Sequence, residues 1–281
     1  MPARPLRREG APLVTLSSDL GAAYAAQLKA VLAHRLPPGH IVDLAHDLRP
    51  HDVAEAAFVV RAMAEGFPGG SVHVVVVDPG VGGPRAPVVI DCRDGSRLVG
   101  PDNGVLVPLM EALGGGTAYR IDPTRTGARP RVGTTFDGRD VFAPTAARLV
   151  EGARPRDLGP TTALVRLGPR PPRRGAGFAE GSVAHVDRFG NLVTNVPSAW
   201  VPAGTRQLAV RVGRRRLRLA FETSYEAGGA GAPLALASSF GTLEIAVRLG
   251  RAADRLRVGV GAAVRFQWWT PRARAGRLNR K

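Results

Sequence analysis

The run Val72-His73-Val74-Val75-Val76-Val77 ends abruptly at Asp78-Pro79-Gly80 and continues through Val81-Gly82-Gly83-Pro84 to Arg85. An unbroken β-branched run with one His in it reads as a strand buried on both faces, as at the centre of a parallel sheet. Pro79 has no N–H for a ladder and Gly80 permits backbone angles that other residues avoid, so the strand stops there. A carboxylate, a glycine-rich turn and an arginine therefore sit where a central strand leaves its sheet. In open α/β sheets ligands bind just outside the carboxyl ends of the strands. Asp78 and Arg85 are the first candidate site residues, with a turn merely capped by Asp78 as the plainer alternative. The glycines are not read as a phosphate loop, because such a loop opens a helix. Here Pro84 and the apolar Ala86-Pro87-Val88-Val89-Ile90 predict another strand.

The segments before this run alternate. Pro12 to Ser18 predicts a first strand, and Ala22 to His34 has helical spacing. Asp19 stands between them, as a helix cap or as a ligand for a sugar diol, whose two hydroxyls suit the two oxygens of one carboxylate. His40 to Leu44 predicts a second strand and Val53 to Glu65 a second helix, with Asp52 and Glu55 as a capping-box-like pair. The βαβαβ order argues for parallel strands with helices on the faces. Downstream, Val88 to Cys92 and Arg97 to Val99 predict a hairpin around Asp94-Gly95. A helix is predicted from Val105 to Leu113, with Asp102 as its cap or, second, facing the site, and a strand from Thr117 to Ile121. Thr134 to Pro144 is a second polar cluster, containing Asp137, Arg139 and Asp140, before a helix from Thr145 to Val150. An Arg139–Asp140 ion pair is its structural explanation.

The pattern changes after a Pro-, Gly- and Arg-rich stretch. Seven short alternating segments follow without intervening helices: 181–186, 192–196, 207–212, 216–221, 234–237, 243–248 and 263–268. They predict a small antiparallel barrel or sandwich. The expected organisation is an α/β N-terminal domain over 11–168, a linker over 169–178, a C-terminal antiparallel β-barrel domain over 179–270 and a basic tail over 271–281. The barrel segment carries a third cluster, Asp187-Arg188-Phe189-Gly190-Asn191, with a carboxylate, an aromatic face and an amide. An amide can pair with an adenine edge and a ring can stack on the base. An Asx turn with a core Phe is the alternative. Ser238-Ser239-Phe240-Gly241 offers hydroxyls and backbone N–H groups, or is only a hairpin.

Composition narrows the function classes. Cys92 is the only cysteine, no apolar run is long enough to span a bilayer, and the first ten residues lack the apolar core of a secretory signal. The expectation is a cytoplasmic protein. The formal net charge of +16 invites a nucleic-acid reading. However, the basic residues are almost all Arg, interspersed with Pro and Gly, and aromatics for base stacking are few, so a solvated basic surface is favoured. The six His residues show no metal-ligand pairing.

Six stretches in order carry a resemblance over Leu13 to Trp268. They are Asp19-Leu20-Gly21 with Tyr24, Val77 to Gly82 with Arg85, Pro101-Asp102-Asn103-Gly104, Thr135 to Asp140, Asp187 to Asn191, and Ser239-Phe240-Gly241 to Ala246. The chain resembles the S-adenosylmethionine (SAM) hydroxide adenosyltransferases, the adenosine-forming SAM hydrolases, which are relatives of the fluorinases and chlorinases. The resemblance implies hydrolysis of SAM to adenosine and methionine, with no metal and no cofactor beyond the substrate. It also implies a homotrimer with sites between subunits. By motif, Asp19 would hold the ribose hydroxyls, Phe189 and Asn191 the adenine, and Asp187 and Ser239 the methionine end. Asp78, Arg85 and Asp137 would handle the water.

One departure stands out: the family's hydrolases usually carry His at the position of Asp137. The carboxylate there can share a proton with Asp78 or pair with Arg85. This leaves a non-catalytic or slow SAM- or adenosine-binding protein as an alternative, and a nucleic-acid-binding protein as another. The halogenase branch fits less well, because its members lack the pair matched by Asp78 and Arg85.

Overall fold

A computed structural model describes residues 12–37, 39–127, 133–166 and 171–268. The chain divides into two compact units, Met1–Gly168 and Pro169–Lys281. The expected basic tail, 271–281, and residues 169–170 of the expected linker lie outside the described residues.

The first unit is a mixed six-stranded sheet with helices on both faces. Its elements are β1 (Val14–Ser18), α1 (Gly21–Ala33), β2 (Ile41–Ala45), α2 (Val53–Ala64), β3 (Val72–Val76), β4 (Pro87–Cys92), β5 (Arg97–Pro101), α3 (Val107–Ala112) and β6 (Gly116–Arg120). A π-helical turn, Gly138–Phe142, then leads into α4 (Ala143–Val150). The strand order is β2-β1-β3-β5-β4-β6. The first four strands in that order are parallel, while β4 is antiparallel to both β5 and β6. β3 lies inside the sheet and every one of its residues is buried. Its alternate side chains feed two cores. Val72, Val74 and Val76 pack with Leu28 and Leu32 of α1 and Phe142 and Ala146 beyond. Val75 and Val77 pack with Val60 of α2 and Leu109 of α3. The apolar run is unbroken because neither face of the strand meets water.

Asp52 accepts the Glu55 N–H at 3.0 Å and caps α2 as the sequence predicts. Asp19 and Asp102 behave differently from the cap reading. α1 has no side-chain cap, and the Asp19 carboxylate accepts the backbone N–H of His51 instead. α3 starts at Val107, two residues later than predicted, and Asp102 accepts the Val165 N–H at 2.8 Å. The Arg139–Asp140 ion pair does form, at 2.6 Å.

The second unit is a closed barrel of seven strands, β14-β10-β11-β12-β13-β9-β8, closed by pairing of β8 with β14. Its strands are β7 (Arg173–Gly175), β8 (Phe178–Val186), β9 (Leu192–Pro197), β10 (Gln207–Val212), β11 (Arg215–Glu222), β12 (Pro233–Ala237), β13 (Thr242–Val247) and β14 (Ala263–Gln267). Inward residues such as Leu208, Val210, Leu219, Ile245 and Phe266 fill the interior. Three features correct the sequence reading. β7 lies inside the stretch expected to be a linker and pairs with β8. β11 and β12 pair in parallel, since the connection across 223–232 is no tight hairpin. A short helix, α5 (Ala252–Leu256), precedes β14.

His73 of β3 is 1 % exposed and bonded to Thr15 Oγ1 at 2.8 Å. Burial, only partly opposed by Asp94, lowers its pKa from 6.5 to about 4. The unfolded chain therefore binds a proton in this interval that the folded chain excludes. Stability due to His73 is complete above about pH 6.5 and is lost as pH falls towards 4. Urea unfolding across this interval should show a falling midpoint in the wild type and a flatter profile in His73→Gln.

Candidate active site

β3 delivers Asp78 to the carboxyl edge of the sheet, and the following turn brings the chain back so that Arg85 faces it. The turn is held by Val81 N–H to Asp78 carbonyl at 3.2 Å and Gly83 N–H to Gly80 carbonyl at 3.0 Å. Gly82 has a φ of +76°, and a Cβ there would lie 2.9 Å from the Thr134 carbonyl, so this position requires glycine. Arg85 Nε donates to Asp78 Oδ1 at 2.9 Å and Nη2 to Asp78 Oδ2, a two-pronged pair. The same Nη2 donates to Asp137 Oδ2 at 2.6 Å. The three side chains are 11 %, 6 % and 7 % exposed for Arg85, Asp78 and Asp137. Asp137 heads the π-helical turn, whose Gly138 packs against Val76. Burial works against the charge of Arg85, but its two carboxylate partners outweigh it and raise its pKa above the ordinary guanidinium value. The Arg85 guanidinium also lies 5.6 Å from the Phe142 ring centroid. Arg85 and Asp137 line a cavity of about 580 Å³ with Arg120 and Asp122.

Asp19 occupies the same sheet edge. β1 and β3 are adjacent and in register, with Ser18 opposite Val76, and the Asp19 N–H donates to the Val76 carbonyl at 3.4 Å. Its Oδ2 accepts the His51 N–H at 3.0 Å.

The second unit carries its own cavity, of about 680 Å³, lined by Asp187, Phe189, Asn191, Ser239 and Glu244 among others. Asp187 organises the loop after β8. Its Oδ1 accepts the N–H groups of Phe189 and Asn191, at 2.9 and 2.8 Å, and its Oδ2 accepts from Asn191 Nδ2 at 2.9 Å. This Asx turn leaves the Phe189 ring 75 % exposed beside the cavity while Asn191 is buried. Glu244 is 3 % exposed and accepts the Tyr225 hydroxyl at 2.7 Å. Burial, and then the nearby Asp187 charge, raise the pKa of Glu244 against the lowering effect of Tyr225.

Comparison with known proteins identifies the family. Residues 14–159 match the SAM hydroxide adenosyltransferase N-terminal domain and residues 181–265 its C-terminal domain. The chain belongs to the SAM hydroxide adenosyltransferase family. It is 38 % identical to an (R)-S-adenosyl-L-methionine hydrolase of Thermus thermophilus, covering 86 % of this chain and 94 % of the relative. It is 39 % identical to a protein of the same name from Salinispora arenicola, covering 90 % and 97 %. A crystal structure of an uncharacterized conserved protein from Thermotoga maritima superposes with a TM-score of 0.84 at 32 % identity, covering 91 % of this chain and 100 % of the other.

The fold thus brings Asp78, Arg85 and Asp137 into one hydrogen-bonded group with Asp19 on the adjoining strand end. Asp187, Phe189, Asn191 and Ser239 gather around one cavity in the other unit. Asp137 pairs with Arg85, one of the roles open to it. Sequence reasoning did not single out Glu244 and Tyr225. Glu244 alternates with Leu243 and Ile245 in β13 and so reads as an ordinary solvated position, which hid its burial.

Arg85 pairs with two buried carboxylates, so its removal takes a cationic partner from both. Arg85→Ala should destabilise the protein by roughly 3–5 kcal/mol in urea unfolding. Adding Asp137→Asn to that variant should restore part of the loss, because one of the two buried charges is then gone.

Proposed function

We propose that this protein hydrolyses SAM to adenosine and methionine by attack of water at ribose C5′. The observation that carries the reading is the Asp78–Arg85–Asp137 group, buried at the exit of the central strand. The chemistry asks for little else. A water oxygen forms a bond to C5′, the C5′–sulfur bond breaks, and its electron pair neutralises the sulfonium to leave the thioether of methionine. The leaving group needs no proton, and neither a metal nor another cofactor is required.

The water must lose a proton as it attacks, and a carboxylate within reach is a suitable acceptor. Two carboxylates share one guanidinium. One of them can therefore take up a proton while the other keeps its ion pair with Arg85. Burial strengthens these interactions relative to water. Asp137 in place of the family's usual His supplies an acceptor where the His would stand.

In the same reading Asp19 binds the ribose hydroxyls, Phe189 stacks on adenine and Asn191 pairs with its edge. Asp187 and Ser239 hold the amino-acid end. The loop hydrogen bonds of Asp187 engage both of its oxygens, and a carboxylate retains acceptor capacity beyond them. Halide is a poor alternative nucleophile, since the Asp78 carboxylate opposes an anion electrostatically. The reading extends to a cytoplasmic homotrimer, in which the first unit of one subunit and the second unit of a neighbour complete each site. No helix among the described residues is long and apolar enough to cross a membrane.

The test is turnover of SAM in ¹⁸O-labelled water, with the two sulfonium epimers offered separately because both relatives carry (R) in their names. Mass spectrometry should find the label at the 5′ oxygen of adenosine and none in methionine. Asp78→Asn and Asp137→Asn should each lower kcat by about 10²-fold or more, the range of general-base catalysis, with SAM binding retained. Tight SAM binding without adenosine in the wild type would identify a binder instead.

A further inference from the structure

Asp19, with the turn that carries it, is held from two sides. On one side its Oδ2 takes the N–H of His51, a non-glycine residue at a φ of +66°. Side chains disfavour that conformation, so the surrounding loop imposes it. On the other side a chain of polar groups runs away from the turn. The Leu20 N–H donates to Ser18 Oγ at 3.4 Å, and Ser18 Oγ lies 2.8 Å from His46 Nδ1. His46 Nε2 lies 3.0 Å from Asp43 Oδ1, and Lys29 Nζ donates to Asp43 Oδ2 at 2.8 Å. The Gly21 N–H also donates to the His46 carbonyl at 2.9 Å.

These contacts form a continuous path. The His46 ring bridges the Ser18 hydroxyl at Nδ1 and the Asp43 carboxylate at Nε2, and Ser18 Oγ also accepts the Leu20 N–H. Lys29 anchors Asp43 at the far end. Ser18, immediately before Asp19, is thus bonded to the His46 ring, and Gly21, two residues after it, to the His46 carbonyl. A Ser–His–Asp order also occurs in hydrolytic triads. Ser18 is 0 % exposed, however, so its hydroxyl cannot reach a substrate as a nucleophile.

We infer that His46 and Ser18 are positioning residues that aim the Asp19 carboxylate and so make the site selective for a vicinal ribose diol. The inference rests on the proposed role of Asp19. Without the relay the turn keeps its sequence but loses the anchor that fixes its carboxylate against the two hydroxyls.

The experiment compares adenosine with 2′,3′-dideoxyadenosine by calorimetric titration of the full chain, as wild type, Asp19→Ala, His46→Ala and Ser18→Ala. Wild type should prefer adenosine, and Asp19→Ala should abolish the preference. His46→Ala and Ser18→Ala should each weaken adenosine about tenfold, the scale of a compromised hydrogen bond to a charged group, and leave dideoxyadenosine unchanged. Ser18→Ala removes a single hydroxyl and keeps the test valid if His46→Ala folds poorly. Equal weakening of both nucleosides, or no change in either, overturns the positioning role and leaves the diol reading of Asp19 standing. A wild type that binds both nucleosides alike overturns that reading and the inference with it.

Discussion

One guanidinium holds together parts of the first unit that are far apart in sequence. Arg85 is seven residues from Asp78 and 52 from Asp137. It ties the exit of β3 to the π-helical turn that opens α4. The interaction depends on burial, since an exposed pair of this kind contributes little. It also demands burial's complement, a full set of partners, because a guanidinium removed from water without them is costly. The turn glycines serve the same end. Gly82 lets the loop approach Thr134, and Gly138 lets the π-turn approach Val76.

The sheet decides where this group lies. Parallel strands β1 and β3 end side by side, so Asp19 and Asp78, on separate strands, emerge at one edge. Helices α1 and α2 cover opposite faces through the two cores that β3 supplies, which leaves the strand ends as the open part of the sheet. The barrel follows a different rule. Its closure leaves no free edge among the seven strands, and the cavity lies where the Asp187 loop and the loop before β13 meet. Turns fix Asp187, Phe189 and Ser239 there, while sheet register places Glu244 opposite Val193.

Much of this was legible in the sequence where a period carried the information. The β3 run, the βαβαβ order and the alternating barrel strands follow from which faces are buried, and side-chain hydrophobicity reports that directly. The Asp/Arg cluster was legible because charged residues at a strand exit have few structural uses. What escaped depends on partners distant in the chain. Asp102 looked like a cap, but its acceptor role is fulfilled by Val165, 63 residues away. The parallel β11–β12 pair escaped because alternation is the same in either strand direction. The link between Ser18 and His46 spans 28 residues and left no local pattern. β7 escaped because its Arg173-Arg174-Gly175 is polar, as an exposed edge strand is free to be.

The exchange of His for Asp137 bears on how the proposed reaction would proceed. A group with one guanidinium and one carboxylate is formally neutral and can hold a preformed hydroxide beside a His. The group seen here has a second carboxylate, whose charge opposes a free hydroxide beside it in a buried site. Water can still react there if its proton passes to a carboxylate while the bond to C5′ forms. The oxygen then never bears a full negative charge next to the cluster, and the charge lost by the sulfonium is balanced by a proton gained at the carboxylate. Arg85 keeps its remaining ion pair through this change, so the guanidinium need not move. In the proposed reaction Asp137 would thus draw a proton from water where a His would stand beside hydroxide, with the same arginine at the centre of the group.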